Sequence, residues 1–151
     1  KELVGSAELA QYKLSDFHEI DKDCIRTLKT IGIKTAKQLL DVGHTGIGIK
    51  QLSENTGIVQ DDILELVKLS DLARIPGVKK IRARLYHNAG LDTLAKMAKC
   101  DAEKLIKIST DYINKSGFKG IPPTLKEAEH TVTMAKYLTN TLKKKLLLFK
   151  K

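Results

Sequence analysis

Apolar residues recur at three- and four-residue steps along most of the chain, a spacing that predicts amphipathic helices packed on a core. The first such segment opens at Ser15 or Asp16. Its apolar positions are Leu14, Phe17, Ile20, Cys24, Ile25 and Leu28. No stretch shows the alternation of apolar and polar residues that marks a half-buried strand. The pattern predicts an all-α fold.

Capping residues and glycines divide the remaining pattern into further helices. Thr35 is predicted to cap a helix that stops at Gly43, and Gly46 and Gly48 are predicted to mark a loop. A short helix follows and ends at Gly57. The other predicted N-caps are Asp61 or Asp62, Asp92, Asp101 and Thr124. A last, long helix is expected after Thr124.

Two predicted helices meet at a very short turn in the middle of the chain. Leu72 and Ile75 end one apolar pattern, Pro76-Gly77 breaks it, and a second pattern begins at Ile81. Gly77 can adopt a backbone conformation closed to residues with a Cβ, and the amides after it are unpaired because they open a helix. Such amides favour a phosphate group.

Basic residues cluster directly after this turn, and no acidic residue stands between Asp71 and Asp92. The predicted nucleic-acid contacts are the turn residues Gly77, Val78 and Lys79 with the cations Lys80, Arg82 and Arg84. The alternative is a tight interhelix turn that needs glycine for geometry alone.

The sequence aligns with itself at an offset of 58 positions. Gly32-Ile33-Lys34-Thr35 falls on Gly90-Leu91-Asp92-Thr93, and Leu14, Phe17 and Ile20 fall on Leu72, Ile75 and Val78. This agreement predicts a duplication. Glu19 stands opposite Gly77, and Asp21 stands opposite Lys79. We therefore expect the first copy to be a packing scaffold and the second copy to bind.

The residues Leu72, Ile75, Pro76, Gly77, Val78 and Ala83 resemble a helix-hairpin-helix motif. That motif runs Leu-x-x-Ile-Pro-Gly-hydrophobic-Gly with a small residue four positions later, and Lys79 stands where it has its second glycine. The two-copy arrangement, together with Leu52 to Ile58 and the Pro-rich break, resembles a bacterial family of uncharacterised tandem helix-hairpin-helix proteins. This resemblance extends over roughly residues 14 to 140. It implies DNA binding without sequence preference, through hairpin amides to phosphate.

Charge supports an acidic partner for the second half of the chain. Residues 1–70 hold 9 basic and 11 acidic residues, whereas residues 71–151 hold 18 and 7, so the net charges are −2 and +11. A one-sided basic surface suggests nucleic acid ahead of an anionic membrane. The alternative is that the lysines merely keep the protein soluble.

Other chemistry finds little support in the sequence. Cys24 and Cys100 form no Cys-x-x-Cys pair and both lie at apolar positions, so a zinc site and a catalytic thiol are not expected. Glu127 and His130 share a helix face, but no matching partner pair is visible. We expect a non-enzymatic protein without metal or cofactor. The absence of a signal pattern or an apolar span predicts a cytoplasmic location and no transmembrane segment.

The C-terminal tail is the second basic feature. Lys143, Lys144 and Lys145 are expected as secondary contacts to nucleic acid, and the apolar residues after them allow attachment to a membrane surface. The tail can equally close a long helix and dock on the core or on a second subunit. A protein-interaction or assembly module, with or without self-association, is the principal alternative function.

The expected organisation has five parts. They are an N-terminal extension at 1–13 with a short helix after Ser6, a degenerate repeat at 14–70, an intact repeat at 71–116, a linker at 117–123 and a C-terminal helix with a basic tail at 124–151. Within this organisation, we expect sequence-independent binding of nucleic acid, with duplex DNA as the first candidate.

Overall fold

The computed structural model describes residues 12–149, with side chains for residues 12–140. In this part of the chain, eight α-helices follow a 3₁₀ turn at Leu14–Asp16, and no strand forms beyond an isolated bridge between Lys13 and Thr35. The helices are α1 (Lys22–Thr30), α2 (Ala36–Gly43), α3 (Gly46–Thr56), α4 (Gln60–Leu72), α5 (Lys80–Asn88), α6 (Leu94–Ala98), α7 (Ala102–Ser116) and α8 (Leu125–Phe149). The all-α prediction is confirmed for these residues. The helix predicted after Ser6 lies outside them.

The helices form two groups of four. In the first group, α2 and α3 pack against each other and both pack against α4. In the second group, α6 and α7 both pack against α8. Because α4 also packs against α5, it connects the groups. We name α1–α4, with the 3₁₀ turn before them, the first unit, and α5–α8 the second unit.

The two units share local backbone geometry at positions 58 residues apart. Both ends of α5 lie 58 residues after those of α1. Gly32 and Gly90 are both left-handed, with φ of 86° and 96°. Thr35 and Thr93 cap the next helix in the same way, since each hydroxyl accepts a hydrogen bond from a backbone N–H three residues later, at 3.2 and 3.1 Å. This is the register in which the sequence aligns with itself.

The last helices of the two units bury corresponding faces. The buried residues of α4 include Ile63, Leu66, Val67 and Ser70. Residues 65 positions later on α8 are also buried, namely Ala128, Thr131, Val132 and Ala135. The segment between α7 and α8 packs on the body, because the Phe118 ring lies 5.7 Å from the His18 ring and 5.9 Å from the Tyr112 ring. The α8 helix is the counterpart of α4 in the second unit.

Two features of the first unit differ from the simple pattern. The helical turns predicted between Ser15 or Asp16 and Gly32 form two separate pieces, because Glu19 is left-handed with φ of 55° and α1 begins only at Lys22, after its N-cap Asp21. The loop expected at Gly46 and Gly48 is the first turn of α3. A Cβ at Gly48 would lie 1.9 Å from the Val42 carbonyl oxygen, so this glycine permits close approach.

The cap of α6 is also displaced by one residue from its predicted position. Thr93 caps the helix, whereas the Asp92 carboxylate accepts hydrogen bonds from Lys68 at 2.7 Å and Lys96 at 2.8 Å. Burial alone would raise the pKa of Asp92, but these two ammonium groups lower it to about 2. Because Lys68 lies on α4, Asp92 is a charged link between the units.

Candidate nucleic-acid interface

The turn between α4 and α5 combines two buried apolar residues with an exposed glycine. Ile75 and Val78 are buried, and the Val78 N–H donates to the Ile75 carbonyl at 3.0 Å. Gly77 has φ of 90°, and a Cβ there would meet no atom within 4 Å. Its backbone conformation, and not a lack of space, therefore requires glycine. Val78 is therefore no longer one of the predicted nucleic-acid contacts, because its side chain is buried and its N–H is already hydrogen-bonded within the turn.

The first turn of α5 presents backbone donors that no side chain caps. Lys79 is the N-cap residue and makes no capping hydrogen bond through its side chain. Within the described residues, the N–H groups of Ile81 and Arg82 have no acceptor. The N–H of Lys80 points at the Tyr12 hydroxyl, whose pKa burial raises to about 12 despite this hydrogen bond. Two first-turn donors are available to a ligand.

Lys79 and Lys80 carry the accessible positive charge at this turn. Both are exposed, and neither has a carboxylate within ion-pair distance among residues 12–140. The nearest acidic neighbours in sequence, Asp71 and Asp92, are bound to Arg74 and to Lys68 with Lys96. Two exposed lysines therefore lie beside the uncapped amides, an arrangement whose charge and donors favour an oxyanion.

Arg84 does not lie on this surface. Only 4% of the residue is exposed, and its guanidinium binds groups of the first unit. Nε and Nη2 donate to the carbonyl oxygens of His18 and Glu19, and Nη1 donates to the Glu65 carboxylate, each at 2.8 Å. A guanidinium held in this way cannot reach a phosphate. The prediction that Arg84 contacts nucleic acid is therefore corrected. Arg84 joins the two units through hydrogen bonds and is removed from the predicted contacts.

Arg82 connects α5 to the start of α8. Its side chain is 18% exposed, and Nη1 lies 3.5 Å from Oε2 of Glu127. Nη2 donates to the Pro122 carbonyl at 3.5 Å. The pKa of Glu127 is lowered, first by the Thr124 N–H that it accepts as a cap and then by Arg82. Arg82 therefore has a structural role and also leaves the contact set.

The position corresponding to Arg84 in the first unit is Arg26, and its surroundings are the opposite. The Arg26 side chain is 74% exposed and lies 3.2 Å from the Asp23 carboxylate, which is itself 83% exposed. An exposed pair of this kind is worth little, so the guanidinium is free to turn toward another anion. The first unit is therefore not devoid of accessible charge.

A groove of about 700 Å³ lies between the 3₁₀ turn, α1 and the start of α5. Its basic residues are Lys22, Arg26, Lys29 and Lys80. Its acidic residues are Asp16 and Glu19. Sequence reasoning missed this groove because its cations come from two segments that lie more than 50 positions apart in the chain. The signal that was available is the spacing of Lys22, Arg26 and Lys29, which places them on one helix face.

A cluster with metal-ligand chemistry lies near the groove. Oxygen atoms of Asp21 and Asp62 and the sulfur of Cys24 all lie within 4.8 Å of one another. The pKa of Cys24 is raised to about 11, first by burial and then by the negative charge of Asp21 and Asp62. The raised pKa makes Cys24 a weak nucleophile at neutral pH. Cys24 and Cys100 are both buried, as their apolar positions predict.

The remaining candidates do not gather at one place. Glu127 and His130 are both exposed on α8. Lys143, Lys144 and Lys145 belong to α8, but their side chains lie outside the described part. None of the helices described is both long enough and apolar enough to cross a bilayer.

Comparison with known protein families gives a match. A family model described as a domain of unknown function, DUF4332, matches residues 18–138. No curated protein and no solved structure is significantly similar to the chain. The matched range begins before α1 and ends within α8, so it includes helices of both units.

Proposed function

The chain belongs to the DUF4332 family, a domain of unknown function, and for this member we propose non-enzymatic, sequence-independent binding of nucleic acid through phosphate groups. The proposed contacts are the backbone around Gly77, the first-turn N–H groups of α5, and Lys79 and Lys80. Lys143, Lys144 and Lys145 remain secondary contacts in this proposal.

The uncapped first turn of α5 is the observation that carries the proposal. An N-terminal helical turn favours an anion through its unpaired N–H groups and its dipole. Here it coincides with two exposed lysines that have no ion-pair partner in the described region. A phosphate diester supplies the negative charge and the acceptor oxygens that such a site lacks.

The same turn is proposed to be a helix-hairpin-helix motif, with the Glu19 turn as its degenerate copy. The shared left-handed conformation at Glu19 and Gly77 supports this interpretation. Lys79, which occupies the position of the motif's second glycine, adds charge where the motif has none. A phosphate contact at this point then involves a side chain as well as the backbone.

The proposal is tested by fluorescence anisotropy with a mixed-sequence DNA duplex at about 50 and about 200 mM salt. Replacing Lys79 and Lys80 with Ala should weaken binding roughly tenfold and reduce the slope of log K against log salt by about 1.8, because two phosphate contacts are lost. The matched control is Lys99→Ala with Lys104→Ala, which removes the same charge from exposed residues at α6 and α7.

We expect the control variant to retain its salt slope to within about 0.5. Absence of wild-type binding at about 50 mM salt, where phosphate contacts are strongest, would overturn the proposal. Equal losses in the two variants would also overturn it, because binding would then follow net charge and not the turn.

A protein-interaction surface is the second candidate, and exposed apolar residues favour it. Ile47 is 73% exposed, Val59 is 60% exposed and Leu64 is 37% exposed. Leu64 lines a depression of about 460 Å³ between α2, α3 and α4. Apolar side chains exposed on α3 and α4 offer surface for contact with another protein. A sizing column compares wild type with Ile47→Ser, and a shift to smaller size in the variant would support self-association.

A further inference from the structure

We infer that the nucleic acid is single-stranded and that one strand lies in the groove between the two units; this inference rests on the proposed function and names its substrate class. The strand would pass from Lys79 and Lys80 in the second unit to α1 in the first. The groove therefore extends the turn site and does not replace it.

Positive charge enters the groove from both units. Lys22, Arg26 and Lys29 recur on α1 at steps of four and three residues, so they follow one face of the helix. All three are exposed, and all three line the groove. Lys80 lines the groove from the first turn of α5. A row of cations on one helix, with another cation on a neighbouring segment, matches the repeating charge of a phosphodiester backbone.

The size of the groove favours one strand over two. A volume of about 700 Å³ falls within the range of about 300–1,000 Å³ that accepts small molecules, so it accommodates a short length of one chain. Duplex DNA is a stiff rod with a persistence length of about 150 base pairs, and it cannot bend into a depression of this size. A duplex would contact only the exposed rim at Lys79 and Lys80.

The floor of the groove suits a strand without a preferred sequence. Ile81 contributes apolar surface to the lining and is 39% exposed, whereas Ile25 is buried beneath it. Phe17 also lines the groove, but it is 97% buried and offers no free ring face for base stacking. Affinity must therefore come mainly from phosphate contacts and from apolar contact with sugars and base edges.

Two carboxylates oppose the bound strand. Asp16 and Glu19 line the same groove, and both are exposed. They reduce the positive charge that the four cations supply and should lower the affinity for phosphate. Asp16 is exposed, and the charged form of its neighbour Tyr12 is disfavoured by it, so neutralising Asp16 should leave the fold intact.

The test uses anisotropy with a short oligothymidylate and with a mixed-sequence duplex of the same length. The full chain should bind the single strand more tightly than the duplex. Replacing Arg26 and Lys29 with Ala should weaken single-strand binding roughly tenfold and reduce its salt slope by about 1.4, at about 0.7 per lost phosphate contact. Binding of the duplex should change by no more than the Lys99→Ala/Lys104→Ala control.

A second variant gives the opposite sign and excludes misfolding as an explanation. Asp16→Asn removes one negative charge from the groove, so we expect oligothymidylate to bind two- to threefold more tightly. Duplex affinity should stay the same, because the rod does not enter the groove. Unchanged single-strand affinity in Asp16→Asn would count against the groove as the binding site.

The outcomes separate this inference from the function on which it rests. If the duplex binds at least as tightly as the single strand, and Arg26→Ala/Lys29→Ala behaves as the control, the groove inference is overturned. The turn at Gly77 remains the binding site in that case, provided that Lys79→Ala/Lys80→Ala abolishes duplex binding. If neither nucleic acid binds at about 50 mM salt, the proposed function and the inference both fall.

Discussion

Arg26 and Arg84 occupy corresponding positions in the two units, yet their surroundings are opposite. Arg26 is exposed on α1 and faces a groove, whereas Arg84 is buried and holds two carbonyl groups and one carboxylate. The difference arises because α5 packs against the turn of the first unit, where the His18 and Glu19 carbonyls accept hydrogen bonds from Arg84, whereas the described residues leave Arg26 exposed. An arginine at corresponding positions is therefore an exposed cation in the first unit and a buried hydrogen-bond donor that links the units in the second.

The turns that precede Arg26 and Arg84 in the chain also differ from each other. Gly77 takes its left-handed conformation without steric cost, whereas Glu19 takes it with a Cβ and needs support from its surroundings. That support includes the hydrogen bond from Arg84 to the Glu19 carbonyl. The second unit thus stabilises the turn of the first, while its own turn stays open to a ligand.

The largest expected effect separates the two arginines by stability. Arg84→Ala leaves two part-buried hydrogen bonds, to the carbonyls of His18 and Glu19, and the Glu65 carboxylate without their buried donor, so we expect the free energy of unfolding to fall by about 3 kcal/mol. Arg26→Ala should change it by no more than about 0.5 kcal/mol, because the side chain is exposed. Urea denaturation followed by circular dichroism measures both. Equal values for the two variants would contradict the assigned roles.

A smaller effect is expected at the charged link between the units. Asp92 stands at the position that Lys34 occupies in the first unit. Asp92 binds two lysines there, which the positively charged Lys34 cannot do. Asp92→Asn should cost about 1–2 kcal/mol at neutral pH, whereas Lys34→Ala should cost less than about 0.5 kcal/mol.

The pH dependence of this link has a defined sign. The pKa of Asp92 is lowered from near 3.8 to about 2 in the folded state, so its contribution is present above pH 3.8 and is lost as the pH falls toward 2. The difference in stability between wild type and Asp92→Asn should shrink over this range. A difference that stays constant from pH 5 to about pH 2 would contradict the assignment.

The smallest expected effects have opposite signs at the two turns. Gly77→Ala should destabilise the protein by about 1 kcal/mol, because φ of 90° is strained for alanine. Glu19→Gly should stabilise it by about 0.5 kcal/mol, because glycine relieves the left-handed strain. Thermal unfolding of both variants provides the measurement. A stabilising Gly77→Ala would show that the turn does not need glycine.

Much of the fold could be predicted from the sequence, because its helices are amphipathic and its turns are marked by glycine. The left-handed conformation at Gly77 and Gly90 and the caps at Thr35 and Asp101 follow from local chemistry alone. The error at Gly48 has a cause outside its own helix, since a Cβ there would lie 1.9 Å from the Val42 carbonyl oxygen near the end of α2. The spacing of apolar residues does not show where two backbone segments come this close together.

The candidate site was harder to predict, for a physical reason. In the sequence, exposed basic residues that follow a turn cannot be told apart from buried ones. Lys79 and Lys80 remain on the surface, but Arg82 and Arg84 are held by Glu127 and Glu65, which are distant in the chain. Only tertiary packing distinguishes a free guanidinium from one that braces the core. The groove between the units depends on the same packing.

The most direct test of the central claim is a titration of amide ¹⁵N–¹H resonances with oligothymidylate. We expect the largest shifts at Gly77, Lys79 and Ile81, followed by shifts along α1 from Lys22 to Lys29. The amides around Lys104 should stay unchanged. Shifts confined to the C-terminal part of α8, or spread evenly over the lysines, would contradict a phosphate site at the turn between α4 and α5.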